Sequence, residues 1–257
     1  MSKPVITVEN LTKRYKNAAA PAVDNISFSV KEGEFFAFLG QNGAGKTTTI
    51  SILTTTLAKT SGKVTIAGYD LDHESRHVRN KIGIIFQRPS LDLDLSAEEN
   101  IRLHACMYGM YGYRPFFSWM PKAYRDRVLE LAAVVGIEDK LRKPLKTFSG
   151  GMQRKIEIIR SLIHEPAVLF LDEPTQGLDA VSRRSLWEYI NEKRKENGAT
   201  VFLTTHYIDE AEHVDKLCMI QKGSIVFQGA PAELKQSFHS ESLEDAYVGL
   251  LTEGGQR

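Results

Sequence analysis

The chain has 257 residues, 42% of them hydrophobic, which is enough to bury the core of one α/β domain with an added subdomain. Its 33 Lys and Arg against 32 Asp and Glu give a formal net charge of +1, which argues against the broad basic surface of a nucleic-acid-binding protein. Cys106 and Cys218 favour buried thiols over a disulfide framework, and no apolar run reaches the roughly 18 residues of a membrane-spanning helix. We therefore expect a cytoplasmic chain without direct contact to nucleic acid.

The first third of the chain is rich in short predicted strands. Strands are predicted at residues 5–9, 23–30, 34–39, 64–67 and 82–86. The turns between the first three strands are polar or contain glycine, which suits antiparallel hairpins. A glycine-rich turn follows the third strand, and residues 46–57 then have the pattern of a helix.

The middle of the chain changes to a helical pattern. Ser96 followed by Glu99 has the sequence of a capping box, and residues 124–135 and 151–163 have helical apolar spacing. Alternation then resumes, with strands predicted at residues 167–171, 200–204, 217–221 and 224–228 and a helix at 182–195. The order predicts an α/β fold into which a helical subdomain is inserted.

The glycine-rich turn after the third strand carries the first candidate site. Residues 40–47 read GQNGAGKT and match the pattern GxxxxGK[ST] between a strand and a helix, where backbone N–H groups cradle phosphate. Lys46 adds positive charge toward the β and γ phosphates, and the Thr47 hydroxyl is a predicted Mg²⁺ ligand. The alternative is a glycine-rich turn that happens to contain a lysine. The predicted nucleotide-binding residues here are Gly40, Gln41, Asn42, Gly43, Ala44, Gly45, Lys46, Thr47 and Thr48.

Two adjacent acids end the apolar strand near residue 171. Asp172 and Glu173 would lie at the carboxyl edge of a parallel sheet, where α/β folds bind ligands. Successive strand residues face opposite ways, so Asp172 is predicted to address Mg²⁺ while Glu173 polarises the attacking water. A solvated acidic strand end is the alternative.

A second helix start has the composition of an anion site. Ser149, Gly150, Gly151 and Met152 open the helix predicted near residue 151, and one nucleotide does not need two such helix starts. This segment resembles the LSGGQ signature of the ABC transporter ATPase family, and the resemblance covers almost the whole chain in the family's motif order. It implies that these residues contact, in trans, the γ-phosphate held by a second subunit.

The same resemblance implies roles for four further residues. Gln87 resembles the family's Q-loop glutamine, which implies contact with Mg²⁺ or the attacking water, and His206 resembles the switch histidine that reaches the γ-phosphate. Tyr15 stands where the family places an aromatic ring against adenine. Asp179 closes a segment that resembles the D-loop at the dimer interface. Ordinary packing of Tyr15, and satisfied polar strand ends at Gln87 and His206, are the alternatives.

The resemblance implies a P-loop NTPase core with an antiparallel β subdomain and an inserted helical subdomain, with ATP and Mg²⁺ as cofactors. The whole chain, residues 1–257, would form one ABC ATPase domain. Its predicted parts are the nucleotide-binding core with the β subdomain at 1–89 and 165–237, the helical signature subdomain at 90–164 and a C-terminal tail at 238–257.

Some positions depart from the family pattern. Phe148 replaces the signature leucine, Met152 its final glutamine, Gln176 the usual D-loop serine, and Ala180 a common proline. None of these changes removes a group assigned to chemistry. The predicted partner is therefore a second ATPase subunit in a symmetric homodimer, although a heterodimer with an equally complete partner stays open.

The family resemblance also implies a membrane partner. The segment at residues 88–93 and the helices from 96 to 135 correspond to the place where the family docks a short helix of its permease, so the chain would sit at the inner face of the cell membrane only through that permease. Residues 242–250, SLEDAYVGL, resemble a tail of drug-exporter ATPases, which favours export. The aromatic segment at residues 108–119 fits a packed helix connection, with partner or membrane contact as the alternative.

Two other functions compete with transport. A soluble ABC-type ATPase acting on ribosomes or DNA is less favoured, because such relatives typically carry tandem cassettes or long coiled coils, which this sequence lacks. A kinase or GTPase would leave His206 and the Ser149 helix start without roles, and no NKxD guanine-reading motif is present.

Overall fold

The computed structural model describes residues 3–85, 90–175 and 179–253, which form two sheets with helices around them. The strands are β1 Pro4–Lys13, β2 Val23–Lys31, β3 Phe35–Leu39, β4 Ser61–Ile66, β5 Tyr69–Asp70, β6 Ile82–Ile85, β7 Val168–Asp172, β8 Thr200–Thr205, β9 Lys216–Gln221 and β10 Ser224–Gly229. The helices are α1 Lys46–Leu53, α2 Ser75–Lys81, α3 Ala97–Met107, α4 Lys122–Val135, α5 Gly150–Leu162, α6 Ala180–Asn197, α7 Ile208–Ala211, α8 Pro231–Ser237 and α9 Leu243–Glu253.

The larger sheet has the order β10-β9-β3-β8-β7-β6, and its neighbours pair in parallel except for the antiparallel pair β9–β10. Every residue of β3, β7 and β8 is buried, as expected for a parallel sheet covered on both faces. The smaller sheet is antiparallel, with the order β2-β1-β4-β5. The predicted α/β class with an antiparallel β part is therefore confirmed.

The pairing of β3 corrects one prediction. The hairpin of β1 and β2 forms as predicted, with Val8 opposite Phe28, but β3 does not extend that hairpin. It lies between β8 and β9 in the parallel sheet, with Phe36 opposite Phe202 and Lys216. The reason is that its five consecutive apolar residues, FFAFL, must be buried on both faces, whereas β1 and β2 each have an exposed face.

The sheet register brings the site segments to one edge. Leu39, the last residue of β3, lies opposite Thr205, and Asp172, the last residue of β7, lies opposite Thr204. Because parallel strands end at the same edge, the loops that follow β3, β7 and β8 meet there. That edge therefore collects the predicted phosphate loop, the two acids and His206.

Helix α1 ends at Leu53, four residues before the predicted boundary. The Thr54 hydroxyl donates a hydrogen bond to the Ile50 carbonyl oxygen at 2.8 Å, and Thr55 adopts a left-handed φ of 63°. Consecutive threonines favour such side chain to backbone bonds and restricted rotamers over continued helix. The short elements β5, α2, α7 and α8 were not predicted, because their few residues carry no clear periodicity.

Helices α3, α4 and α5 follow β6 and precede β7 in the chain. The predicted capping box is present: Ser96 Oγ accepts from the Glu99 N–H, and a Glu99 carboxylate oxygen accepts from the Ser96 N–H at 2.8 Å. The three helices bury Ile101, Val128 and Ile156 in one apolar cluster. The division of the chain into subdomains stays a prediction.

The aromatic segment between α3 and α4 has an inner and an outer side. Tyr111 and Phe117 pack edge-on against buried Tyr124, with ring centroids 5.7 and 6.0 Å away. On the outer side, Tyr113 is 66% exposed and Trp119 58% exposed. The predicted packing of a helix connection thus explains the buried residues of the segment. It does not explain why the residues on its outer side are exposed.

The predicted tail forms α9, which packs on the preceding helix α8 and buries Leu243 and Ala246 in the core. The Ser242 hydroxyl accepts a hydrogen bond from the Asp245 N–H at 3.0 Å, at the start of α9. Within the part of the chain that the structure describes, none of the helices is both long and apolar enough to cross a membrane.

Candidate functional site

The phosphate loop joins β3 to α1 and is shaped by two glycines in close contact with distant backbone. Gly45 precedes α1 with φ of 113°, and a Cβ added there would lie 2.5 Å from the Ala22 carbonyl oxygen. A Cβ on Gly40 would lie 2.4 Å from the Ile220 carbonyl oxygen. No described side chain caps the start of α1, so the N–H groups of its first turn are available as donors for an anion.

Lys46 supplies the positive charge of the loop. Its side chain is buried, and Nζ donates hydrogen bonds to the carbonyl oxygens of Gly40 at 2.6 Å and Gln41 at 3.1 Å. Burial lowers the pKa of Lys46, while the charges of Glu173 and Asp172 act in the opposite direction. The two predicted carboxylates are thus close enough to Lys46 to influence its ionisation.

Asp172 ends β7 beside the loop. One of its carboxylate oxygens, Oδ1, accepts a hydrogen bond from the Thr204 hydroxyl on β8. Burial raises the pKa of Asp172, and the Thr204 hydrogen bond and the Lys46 charge oppose that rise. A buried carboxylate next to a lysine is suited to carry a divalent cation, because the cation would offset the cost of its burial.

Glu173 follows the strand in a different conformation from the one predicted. Its φ of 49° is left-handed, so a backbone turn, and not strand alternation, aims its side chain. The Glu173 N–H donates to the Thr204 carbonyl oxygen at 3.1 Å, which fixes this peptide to β8. Strained residues of this kind cluster at active sites.

His206 and Glu173 lie together although they were predicted separately. His206 Nδ1 is 2.8 Å from Glu173 Oε1, and the Glu173 side chain is only 10% exposed. His206 follows β8 and Glu173 follows β7, which are neighbouring parallel strands. The imidazole therefore orients the carboxylate that was predicted to polarise water.

Tyr15 lies at the mouth of the phosphate loop. Its hydroxyl is 3.4 Å from Thr48 Oγ1, and its ring is 44% exposed with Lys13 Nζ 5.3 Å from the ring centroid. This places an accessible aromatic ring beside the first turn of α1. Stacking of this ring on adenine stays a prediction.

The second predicted anion site is at the start of α5. Ser149 is the residue before the helix, and its Oγ accepts a hydrogen bond from the Met152 N–H at 3.3 Å. Ser149 and Gly150 are exposed, Gly151 and Met152 half-buried, so the helix start is accessible to another molecule. Asp179 is exposed as well, with Lys155 Nζ 3.9 Å from its carboxylate. The roles of these residues in trans stay predictions.

Some predicted positions lie outside the described residues. These are Gln87, the residues Arg88 and Pro89 of the predicted permease contact, Gln176, and the first two residues of the predicted D-loop, Gly177 and Leu178. Nothing in the structure bears on their predicted roles.

Three contributors to the site were not predicted from the sequence. Thr204 binds Asp172, and buried Arg154 and Glu157 on α5 form an ion pair whose arginine contacts the backbone that carries Asp172 and Glu173. One signal was available: both charged residues fall among the isoleucines of the buried helix face, and buried charges need partners.

Comparison with known proteins gives the family. The sequence model described as ABC transporter matches residues 23–176. The chain is 35% identical over 252 residues to YbhF of Escherichia coli (strain K12), named a probable multidrug ABC transporter ATP-binding protein, but spans only 42% of its length. It is also 35% identical to the daunorubicin resistance ATP-binding protein DrrA3 of Streptomyces coeruleorubidus, covering all of this chain and 76% of that protein.

Solved structures agree with this assignment. An ATP-binding subunit of an ABC transporter superposes with a TM-score of 0.86 at 30% identity, covering 96% of this chain and 99% of that one. The dimeric ATP-binding cassette MJ0796, in a post-hydrolysis state bound to ADP and Pi, gives 0.77 at 28% identity, covering 88% and 98%. With the site geometry above, these matches confirm the resemblance seen in the sequence: the chain belongs to the ABC transporter family and forms its ATP-binding cassette, an ATPase domain.

Proposed function

We propose that this chain hydrolyses Mg-ATP as one subunit of a nucleotide-bridged dimer and thereby drives export through a separate membrane permease. The observation that carries the proposal is the convergence of Lys46, Asp172, Glu173 and His206 at one sheet edge, where the hydrogen bond from His206 to Glu173 completes a set suited to hydrolysis. The names of the relatives support the coupling to export.

The residues present fit a magnesium ion held mainly by the nucleotide. Among the described residues there is no group of three or more His, Cys, Asp or Glu that could hold a metal by itself. Mg²⁺ is commonly bound by one or two protein oxygens together with phosphate and water. Thr47, Asp172 and Gln87 would hold it here, and when bound it offsets the negative charge of the phosphates.

The chain's own residues divide the remaining work. Lys46 would turn from the Gly40 and Gln41 carbonyl oxygens to the phosphates, and the N–H groups at the start of α1 would bind phosphate oxygens. Glu173, held by His206, would accept hydrogen bonds from the attacking water and align it with the γ-phosphate. Tyr15 would stack on adenine.

The second subunit would complete the site. Ser149, Gly150, Gly151 and Met152 would contact the γ-phosphate bound by the partner, with Asp179 at the same interface. MJ0796 is solved as a dimer, and a homodimer is the simplest arrangement for a chain with a complete set of site residues. Loss of the γ-phosphate would remove the bridge and reopen the dimer.

The permease would bring the chain to the inner face of the membrane. The relatives include DrrA3, named for daunorubicin resistance, and a Nod factor export ATP-binding protein of Ralstonia nicotianae that is 37% identical over 234 residues. The alternative function on ribosomes or DNA is not favoured by these names.

Two measurements test the proposal. The purified chain is assayed for Mg-dependent ATP hydrolysis, with Glu173→Gln as the inactive control, and absence of turnover would contradict the ATPase role. The tagged full chain is then isolated from a detergent extract of its own cells, where consistent co-purification of a polytopic membrane protein is expected. Association with ribosomes or DNA in its place would favour the alternative.

A further inference from the structure

Helix α5 carries a row of charged residues for which the proposed function has no role. Arg154, Glu157 and Arg160 follow one another at intervals of three residues, so they share one side of the helix. Arg154 is 4% exposed and Glu157 5% exposed. Charges this deeply buried are retained only where they have partners.

Arg154 holds the backbone that carries the two catalytic-site acids. Its Nη2 donates to the carbonyl oxygens of Asp172 and Glu173, both at 3.2 Å, and its Nε donates to the Pro174 carbonyl oxygen at 3.3 Å. A planar guanidinium thus bonds three successive carbonyl groups. This fork of donors limits the rotation of the peptides on both sides of Glu173.

Glu157 connects this contact to another segment of the chain. One of its carboxylate oxygens accepts from Arg154 Nη1 at 3.0 Å, and the other accepts from the Ser90 N–H at 2.9 Å. Arg160 Nη1 donates to the Ser90 carbonyl oxygen at 2.7 Å, so α5 holds the peptide groups on both sides of Ser90. Ser90 lies three residues beyond Gln87.

Arg154 and Glu157 depend on each other electrostatically. Burial lowers the pKa of Arg154, and the charges of Glu157, Asp172 and Glu173 oppose that effect. Removing one charge of a buried pair leaves the other uncompensated. The charges of Asp172 and Glu173 therefore act on Arg154, which also bonds the backbone carbonyl groups of both residues.

We propose that Arg154 and Glu157 are positioning residues for ATP hydrolysis, an inference that rests on the proposed function. Arg154 holds the backbone of Glu173 in its left-handed conformation. In that conformation the Glu173 carboxylate contacts His206 and is directed toward the attacking water. Glu157 fixes Arg154 and ties it to Ser90. Because Ser149 directly precedes the same helix, α5 would connect the acid of one subunit to the helix start that it offers to its partner.

The test compares Arg154→Lys and Glu157→Gln with a matched control in the purified full chain. The control is Glu98→Gln on α3, because Glu98 and Arg102 also form a buried ion pair, 2.8 Å apart, away from the carboxylate loop. For the two α5 variants we expect kcat to fall by roughly 10-fold or more while KM for ATP stays within about 2-fold, the pattern of a lost transition-state contribution. The control should lose thermal stability but keep kcat.

A second measurement separates positioning from general destabilisation. Arg154→Lys is combined with Glu173→Gln, and the residual turnover is compared with that of each single variant. If Arg154 acts through Glu173, adding Arg154→Lys to Glu173→Gln should lower turnover little further. If the two residues act independently, the two fold-losses in turnover should multiply. Multiplicative losses, or a kcat for Arg154→Lys equal to that of Glu98→Gln, would overturn the proposal. A wild-type chain without any turnover would contradict the proposed ATPase function instead.

Discussion

Glu173 and His206 are 33 positions apart in the sequence, yet their side chains meet at 2.8 Å. The contact arises because each residue directly follows one of two adjacent parallel strands, β7 and β8. A carboxylate held in this way has a defined direction toward a nearby water, which is what a water-polarising group requires.

Glu173→Gln is expected to retain ATP binding but to slow turnover by roughly 10²-fold or more, because the amide cannot accept a proton from water. The variant should also accumulate an ATP-dependent dimer, measurable by size-exclusion chromatography with light scattering. Near-normal turnover would exclude Glu173 as the catalytic acid–base group.

His206→Ala removes the partner that orients Glu173. We expect kcat to fall by roughly 10-fold or more with little change in ATP affinity, since His206 contacts the Glu173 carboxylate, whereas Lys46 and the loop N–H groups supply the phosphate contacts. Steady-state kinetics measure both quantities. A large rise in KM at unchanged kcat would show that His206 contributes to binding instead.

Lys46→Ala removes the one lysine whose ammonium group lies within the phosphate loop in the described structure. We expect ATP affinity to fall by about 10-fold or more, because charge-assisted bonds to phosphate are lost. Isothermal titration calorimetry with ATP measures the affinity. Equal affinities of variant and wild type would contradict the placement of the phosphates at Lys46.

Gly45→Ala tests the shape of the loop independently of its charge. The added methyl group would approach the Ala22 carbonyl oxygen to 2.5 Å at a φ of 113°, so we expect loss of ATP binding and destabilisation by about 1–3 kcal/mol. Gly112→Ala is the control, because a Cβ there meets no atom within 4 Å. Differential scanning fluorimetry should show a lower Tm for Gly45→Ala alone.

Stability at acid pH should depend on His104. Burial, then the charges of Arg160 and His164, lower the pKa of His104 from 6.5 to about 3, and its Nε2 is buried without a hydrogen-bond partner among the described residues. The unfolded chain therefore binds a proton that the folded chain does not, so the free energy of unfolding falls as pH decreases from 6.5 toward 3.

His104→Leu should flatten that part of the pH profile. The expected change in slope is at most about 1.4 kcal/mol per pH unit, and urea denaturation at several pH values measures it. His77→Leu is a suitable control, because His77 lies on α2 and stacks on Tyr69 at the other sheet. Parallel profiles for wild type and His104→Leu would contradict the assignment.

Local patterns predicted much of this protein because the site segments are short and contiguous. The phosphate loop, the acids after β7 and the capping box at Ser96 each depend on a few adjacent residues whose backbone geometry follows from residue type. The order of the longer strands and helices followed from periodicity. Their ends moved in places, as at Leu53, where the following threonines stop α1, and the short elements β5, α2, α7 and α8 were missed.

What the sequence could not provide is pairing between distant segments. The place of β3 between β8 and β9 depends on which buried strands meet, and the approach of His206 to Glu173 depends on that sheet order. The contact of Arg154 with three carbonyl groups was hidden for the same reason. Non-local pairing of this kind leaves no periodic signal within a single element.

The two close approaches at Gly40 and Gly45 make the phosphate loop a non-local structure. It contacts the Ile220 carbonyl group on β9, late in the chain, and the Ala22 carbonyl group just before β2. The phosphate loop therefore lies between the two sheets and contacts both. A shift of one sheet relative to the other would change the space that the loop has for phosphate. Substitutions in β2 or β9 that never touch ATP should then alter how tightly the chain holds it.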